Sequence, residues 1–455
     1  MDLERFFYEN LETLQELIRM PSVYDAATVT KDSPYGKGVA AALEYMRQLA
    51  FRDGFEVLEY DGHAIGIRIC GGDPKERVDI ASHLDVVEPG SGWSVDPFGA
   101  VIRDGKLYGR GSQDMKTSAF LTYLALKRMK EEGIPFRREL RLVFGCDEER
   151  TMDDMAYYYK KADSPAFAFT PDGFFPMTIG EKGALMWRLR GHYEGIVEEM
   201  DCGVQCNVIP PVAQAKLKPW PVTGEGAADP DELTALLRRA CEGAGIDGTV
   251  ERGEEAVIVK VKGKAAHASR PEDGHSATAD LLYLLSDLDP VIKNLYQCFK
   301  DPYGSLLGIA AAGEEQAQFT VNLGVFRIKD GECYGEVDAR YPFEMKASEL
   351  TERLARKCIL RVSLDYDSPP TMNDTDDVFV STLLETYRKL TKDLSDPIVS
   401  GGVSYSKIFG HCVGYGPVGP WMENLMHQAD EYISLTDCVK ALSIYYEAMK
   451  RLAML

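Results

Sequence analysis

No apolar run in this chain approaches the roughly 18 residues that a membrane span needs, and basic residues are in deficit. Of 455 residues, 51 are Lys or Arg and 72 are Asp or Glu, a formal net charge of −21. That balance argues against nucleic acid and against an anionic membrane as partner. Bound divalent cations would neutralise part of it; solubility is the simpler reading. Cysteine pairing is also missing. The ten cysteines are scattered, Cys202 and Cys206 form the one close pair, and no second pair completes a zinc knuckle. No secretory leader is expected either. The first twenty residues are charged and periodic, with Phe6, Phe7, Leu11, Leu14, Leu17 and Ile18 on one helical face. They read as an amphipathic docking helix, so a cytoplasmic protein with reduced thiols is expected. Lys37 lies between Gly36 and Gly38 without the spacing of a phosphate-binding loop.

What is present suits a soluble enzyme: 45% hydrophobic and 27% charged residues. A chain this long is expected to form two or three domains. Up to about residue 184, strands at 55–60, 64–70, 78–82 and 139–145 alternate with helices, including one over 115–130. Ala119, Tyr123, Leu126 and Met129 form the buried stripe of that helix. This alternation predicts a doubly wound α/β fold. From 185 to 395 the strands alternate in polarity and helices are fewer, with candidates at 229–242, 276–287 and 348–358. That predicts an inserted α+β domain of two tandem units. Residues 396–455 return to the first style and complete the interrupted domain.

The densest chemistry runs from Val78 to Lys116. An apolar strand delivers His83 and Asp85 at its C-terminal end, on one side of the extended chain. Gly109 and Gly111 then lead to Asp114 at a helix start. Glu148 and Glu149 follow another strand, and Asp172 precedes a glycine. His427 sits in a loop beyond Pro417 and Pro420, and the chain has only seven histidines. Each residue alone has an ordinary structural explanation. Together they supply two nitrogen ligands and several oxygen ligands, the mix that two divalent ions need, with one acid left as general base.

The segments H-L-D-V-V, G-R-G-S-Q-D-M-K, D-E-E, F-T-P-D-G-F-F-P, G-K-A-A-H-A-S-R-P, V-D-A-R-Y-P, S-G-G-V-S-Y-S-K and M-H-Q-A-D-E resemble the dinuclear zinc peptidase family of the aminoacylases and glutamate carboxypeptidases. The similarity is greatest to its dipeptidase branch of the PepV type, and it extends over essentially the whole chain. The resemblance implies a catalytic domain interrupted by a lid of two ferredoxin-like units. It implies that His83 and Asp172 bind one metal, Glu149 and His427 the other, and that Asp114 bridges both. Asp85 would orient His83. Glu148 would be the general base toward water held between the metals. A cis peptide after Asp114 is a further family expectation. His267 would donate to the tetrahedral oxyanion. Asn207, Arg340, Gly401, Gly402 and Ser404 would hold the substrate carboxylate.

The resemblance departs at Val403, Ser404 and Lys407, where the branch carries a third glycine, a threonine and an arginine. Lysine is a point charge rather than a fork, so the departure bears on carboxylate recognition. Zinc is the expected metal, with manganese or cobalt as alternatives. The expected activity is hydrolysis of short peptides with free amino and carboxyl ends, by a monomer whose lid serves its own site. An N-acyl amino acid deacylase or a carboxypeptidase would use the same metals. A non-catalytic peptide-binding protein is the alternative of a different class.

Overall fold

The computed structural model describes residues 2–70, 76–218, 229–254, 256–308 and 318–455. The chain divides into two compact units. The first contains Met1–Glu181, Met372–Val399 and Val403–Leu455; the second contains Lys182–Thr371 and Ser400–Gly402. The insert therefore ends near 371, not at 395. The reason is the helix Val378–Thr391. Its Val380, Leu383 and Tyr387 are fully buried in the core of the first unit, and it packs against the closing helix Leu435–Met454.

The first unit is built on a mixed sheet in the order Glu56–Tyr60, Ala64–Ile69, Leu140–Gly145, Val78–His83, Phe167–Thr170, Cys412–Gly414, Thr178–Glu181. The strands from Leu140–Gly145 to Cys412–Gly414 run parallel; the flanking ones are antiparallel. The central strands are buried along their whole length, as strands covered on both faces must be. The helix Lys116–Glu131 buries Ala119, Tyr123, Leu126 and Met129 as expected, and most of its other residues too. It packs against Leu435–Met454.

The N-terminal amphipathic stretch forms two helices, Leu3–Glu9 and Leu11–Ile18. Asn10 breaks it by turning its side-chain amide onto the Phe6 carbonyl at 2.8 Å, a local bond that competes with helix continuation.

The second unit is one eight-stranded antiparallel sheet: Gly248–Arg252, Val257–Lys262, Val212–Leu217, Val197–Cys202, Thr320–Lys329, Glu332–Tyr341, Gly183–His192, Arg361–Ser368. Its helices feed Leu233, Leu237, Leu281, Ile292, Leu295 and Leu350 into the core. Two α+β units are present, but they are nested rather than tandem. Gly183–His192 starts one unit, Val197–Cys202 through Ala277–Leu285 forms the other, and the chain then returns to finish the first. Pairing of Val197–Cys202 with Thr320–Lys329 joins the halves.

Candidate metal centre

Parallel strands present all their C-terminal ends at one edge, where side chains from separate segments converge. His83 ends its strand, Glu148 and Glu149 follow the strand Leu140–Gly145, and Asp172 lies just past Phe167–Thr170. Asp114 enters from the turn before the helix Lys116–Glu131, and the Asp114–Met115 peptide is cis. His427 arrives on the loop beyond Cys412–Gly414, in a left-handed backbone conformation (φ 64°).

Asp114 is the centre of the group. Its two oxygens lie 3.1 Å from His83 Nε2 and 3.0 Å from His427 Nε2. Glu149 is 3.0 Å from His427 Nε2. Asp172 and Glu148 are 3.6 Å and 4.0 Å from His83 Nε2. Ligand atoms of His83, Asp114 and Glu149, and separately of His83, Glu148 and Asp172, lie within 4.8 Å of one another.

The electrostatics show too little positive charge for these acids. Burial pushes the Glu148 carboxyl well above the usual carboxylate range; His83 opposes this, and Asp172, Glu149 and Asp114 add to it. Burial likewise carries Glu149 up to about 7 and raises Asp172. Asp114 goes the other way: burial is outweighed by hydrogen bonds to His427 and His83, which keep it ionised. Burial disfavours charge on His427, yet Asp114 and Glu149 lift its pKa to about 11. One oxygen of Glu149 is buried without a hydrogen-bond partner, a costly state for a carboxylate oxygen. An uncompensated carboxylate cluster with two imidazoles and an orphaned oxygen fits divalent cations.

A model of the peptidase family M20/M25/M40 matches residues 80–451. The chain belongs to this family. It is 29% identical over 457 residues, 96% of each chain, to a putative dipeptidase, YtjP, of Bacillus subtilis. It is 30% identical over 468 residues, 97% of each chain, to a putative dipeptidase of Staphylococcus epidermidis. Its fold is similar to that of human carnosine dipeptidase 1, with TM-score 0.59 at 15% identity over 100% of this chain and 98% of that one. It is equally similar to a metallo-carboxypeptidase of Sulfolobus solfataricus, with TM-score 0.59 at 17% identity over 98% and 100%.

In this peptidase Asp85 contacts both His83 and the turn that follows the strand Leu140–Gly145. The ring Nδ1 is 3.0 Å from the Asp85 backbone carbonyl and 3.5 Å from its carboxylate. The carboxylate oxygens instead accept the N–H groups of Glu148 and Glu149, each at 3.2 Å. Asp85 thus fixes the turn that aims both glutamates.

That turn has a second support. Asp154, fully buried, accepts the Cys146 N–H, the Asp147 N–H at 2.9 Å and the Tyr405 hydroxyl. The Tyr405 ring stands perpendicular to His83, centroids 6.2 Å apart. Gly145 admits this contact, since a β-carbon there would collide with the Tyr405 hydroxyl and the Asp154 carboxylate. Gly145→Ala is expected to cost about 1–3 kcal/mol, read as a lower urea midpoint. An unchanged midpoint would show that Tyr405 gives way freely.

The second unit brings Asn207, His267, Arg340 and Gly401 into one connected group. Ala268 N–H donates to the Asn207 carbonyl at 2.9 Å. His267 Nδ1 accepts the Ser269 N–H at 3.2 Å and lies 2.7 Å from the Ser269 hydroxyl. A β-carbon on Gly401 would sit 2.8 Å from that of Ser269. Arg340 is buried, forks onto Asp338 at 3.0 and 2.8 Å, and donates to the Gly401 carbonyl at 3.2 Å. Gly402 N–H donates to the Ser400 hydroxyl at 3.0 Å. Ser404 is not in this group; it belongs to the first unit. Its hydroxyl and N–H donate to Glu181 at 2.5 and 3.2 Å, and its hydroxyl accepts from Ser406 N–H. It caps the short helix Tyr405–Lys407.

Proposed function

We propose that the protein is a divalent-metal dipeptidase, hydrolysing short peptides with free amino and carboxyl ends. The observation that carries this reading is Asp114, one carboxylate bonded to both imidazoles, with the half-buried acid Glu148 4.0 Å from His83 Nε2. Relatives named as putative dipeptidases across nearly the whole chain support it. In this proposal His83 and Asp172 would hold one ion, Glu149 and His427 would hold the other, and Asp114 would serve both. Zinc suits two imidazoles among carboxylates, and manganese or cobalt would fit the same donors. Bound divalent ions polarise a scissile carbonyl and acidify water. Glu148 takes the proton from the attacking water and passes it to the departing amine.

The second unit supplies the grip. Ser269 N–H makes Nδ1 of His267 the acceptor, so a neutral ring carries its proton on Nε2. That tautomer is the one needed to donate to a developing oxyanion. Asn207, Arg340, Gly401 and Gly402 hold the substrate carboxylate, for which a guanidinium is suited. With its Ser404 groups committed to Glu181, the role of that residue is to shape the loop. We further propose a cytoplasmic monomer; among the described residues no helix is long and apolar enough to cross a membrane.

The test strips the protein with chelator and restores zinc, manganese or cobalt separately. Free dipeptides, N-acetyl amino acids and tripeptides are then compared at several protein dilutions. Restored cleavage of dipeptides alone is expected, at a specific activity independent of dilution. Cleavage of N-acyl compounds only would reassign the activity to deacylation. Activity lost on dilution would overturn the monomer. No turnover despite bound metal would favour a peptide-binding protein.

A further inference from the structure

Glu431 lies just past His427 in the sequence and is completely buried, yet the proposed chemistry gives it nothing to do. It is no candidate ligand, because its carboxylate is fully occupied by protein donors. One oxygen accepts from the Arg110 guanidinium at 2.6 Å and the Gly111 N–H at 3.2 Å. The other accepts the Gln113 N–H at 2.7 Å and the Asp114 N–H at 3.2 Å. It therefore grips the backbone of the turn that carries Asp114. Charge-assisted bonds of this kind are roughly twice as strong as neutral ones.

Arg110 and Gln113 spread that grip. Arg110 also reaches the Pro89 carbonyl at 3.4 Å and stacks on Trp93, 5.3 Å from the ring centroid. Those residues belong to the loop that follows His83 and Asp85. The adjacent Asp430 accepts the Ser94 N–H at 2.7 Å, tying the same loop from its other end. The Gln113 amide donates to the Glu423 and Tyr432 carbonyls at 2.9 and 2.8 Å and accepts the Leu425 N–H at 2.9 Å. It thereby clamps both ends of the loop that carries His427. Segments more than 300 residues apart in sequence meet at this one carboxylate.

We infer that Glu431, acting with Gln113, is a positioning residue. It sets the spacing between Asp114 and His427, and hence the affinity of the site for divalent ions, without touching substrate or metal. The inference rests on the metal-site reading given above. Ligand-orienting partners of this kind are typically worth about 10- to 100-fold in metal affinity.

The test measures zinc affinity and stoichiometry by competition with a chromophoric chelator, for wild type, Glu431→Gln and Gln113→Glu. Glu431→Gln keeps the shape but removes the charge facing Arg110 and turns an amide onto backbone donors. Gln113→Glu keeps the acceptor for Leu425 and loses both donors. Circular dichroism and urea midpoints of the chelated proteins are recorded beside them. The expected result is a loss of about 10- to 100-fold in zinc affinity for each variant, with chelated proteins that stay folded. If Glu431→Gln does not fold, Gln113→Glu alone decides. Zinc affinities within twofold of wild type would overturn the inference. So would a loss of affinity matched by collapse of the chelated fold in both variants, since the role would then be general stability. Wild type that binds no divalent ion would instead refute the metal-site reading, and this inference with it.

Discussion

Glu148→Ala is expected to lower kcat on a dipeptide by about 10³-fold, within the range for a lost general acid–base, while two divalent ions stay bound. Two features argue for separation of catalysis from binding. Of the three acids near His83 Nε2, Glu148 is the farthest, at 4.0 Å against 3.1 Å for Asp114 and 3.6 Å for Asp172. Its position comes from the backbone bond of its own N–H to Asp85, which alanine keeps. The change therefore removes a proton carrier without loosening the turn beneath it. Metal content by elemental analysis and steady-state kinetics check the two halves separately. A variant as active as wild type would remove Glu148 from the mechanism, and one that loses metal would make it a ligand.

Asp114→Asn should have the larger effect. Asp114 is the carboxylate bonded to both imidazoles, and it stays ionised despite burial because hydrogen bonds to His427 and His83 outweigh desolvation. Asparagine keeps the volume but offers one oxygen, so one imidazole faces an NH2 group instead of an acceptor oxygen. In the proposed assignment neither ion would keep its full donor set, and the cluster would lose charge that favours cations. Both sites should empty, with kcat/KM down by more than about 10³-fold, since bound ions contribute several kcal/mol to the barrier. Elemental analysis after gel filtration reads the ion content. Two ions retained at wild-type affinity would show that Asp114 bridges nothing.

The legible parts of the molecule were those encoded locally. The apolar run before His83, the R-L-V-F strand before Glu148 and the stripe Ala119, Tyr123, Leu126 and Met129 carry their own periodicity, and all formed as expected. Other elements carry fainter or ambiguous local signals. Asp289 caps the helix Pro290–Phe299 with bonds to Val291 and Ile292 N–H, and Asp followed by Pro is a helix-start pattern. The helix Asp153–Lys161 begins directly after the D-E-E turn, where its acids read equally well as part of the site. The strand Arg361–Ser368 lies at a sheet edge with most residues exposed, so it lacks the buried alternation that marks a strand.

Sequence by itself determined the identities at the site: which histidines and carboxylates exist, on which strand ends they fall, and that their donor mix suits divalent cations. Side-chain chemistry and short-range periodicity are properties of the chain, so they can be read from it. Only the tertiary structure decided which groups pair. It turned the Asp85 carboxylate toward the Glu148–Glu149 backbone, committed Ser404 to Glu181, moved the helix Val378–Thr391 into the first core and nested one α+β unit inside the other. Hydrogen-bond partners are chosen by distance and desolvation among residues hundreds of positions apart, and sheet order is set by which edges are left to pair. Neither has a local trace in the sequence.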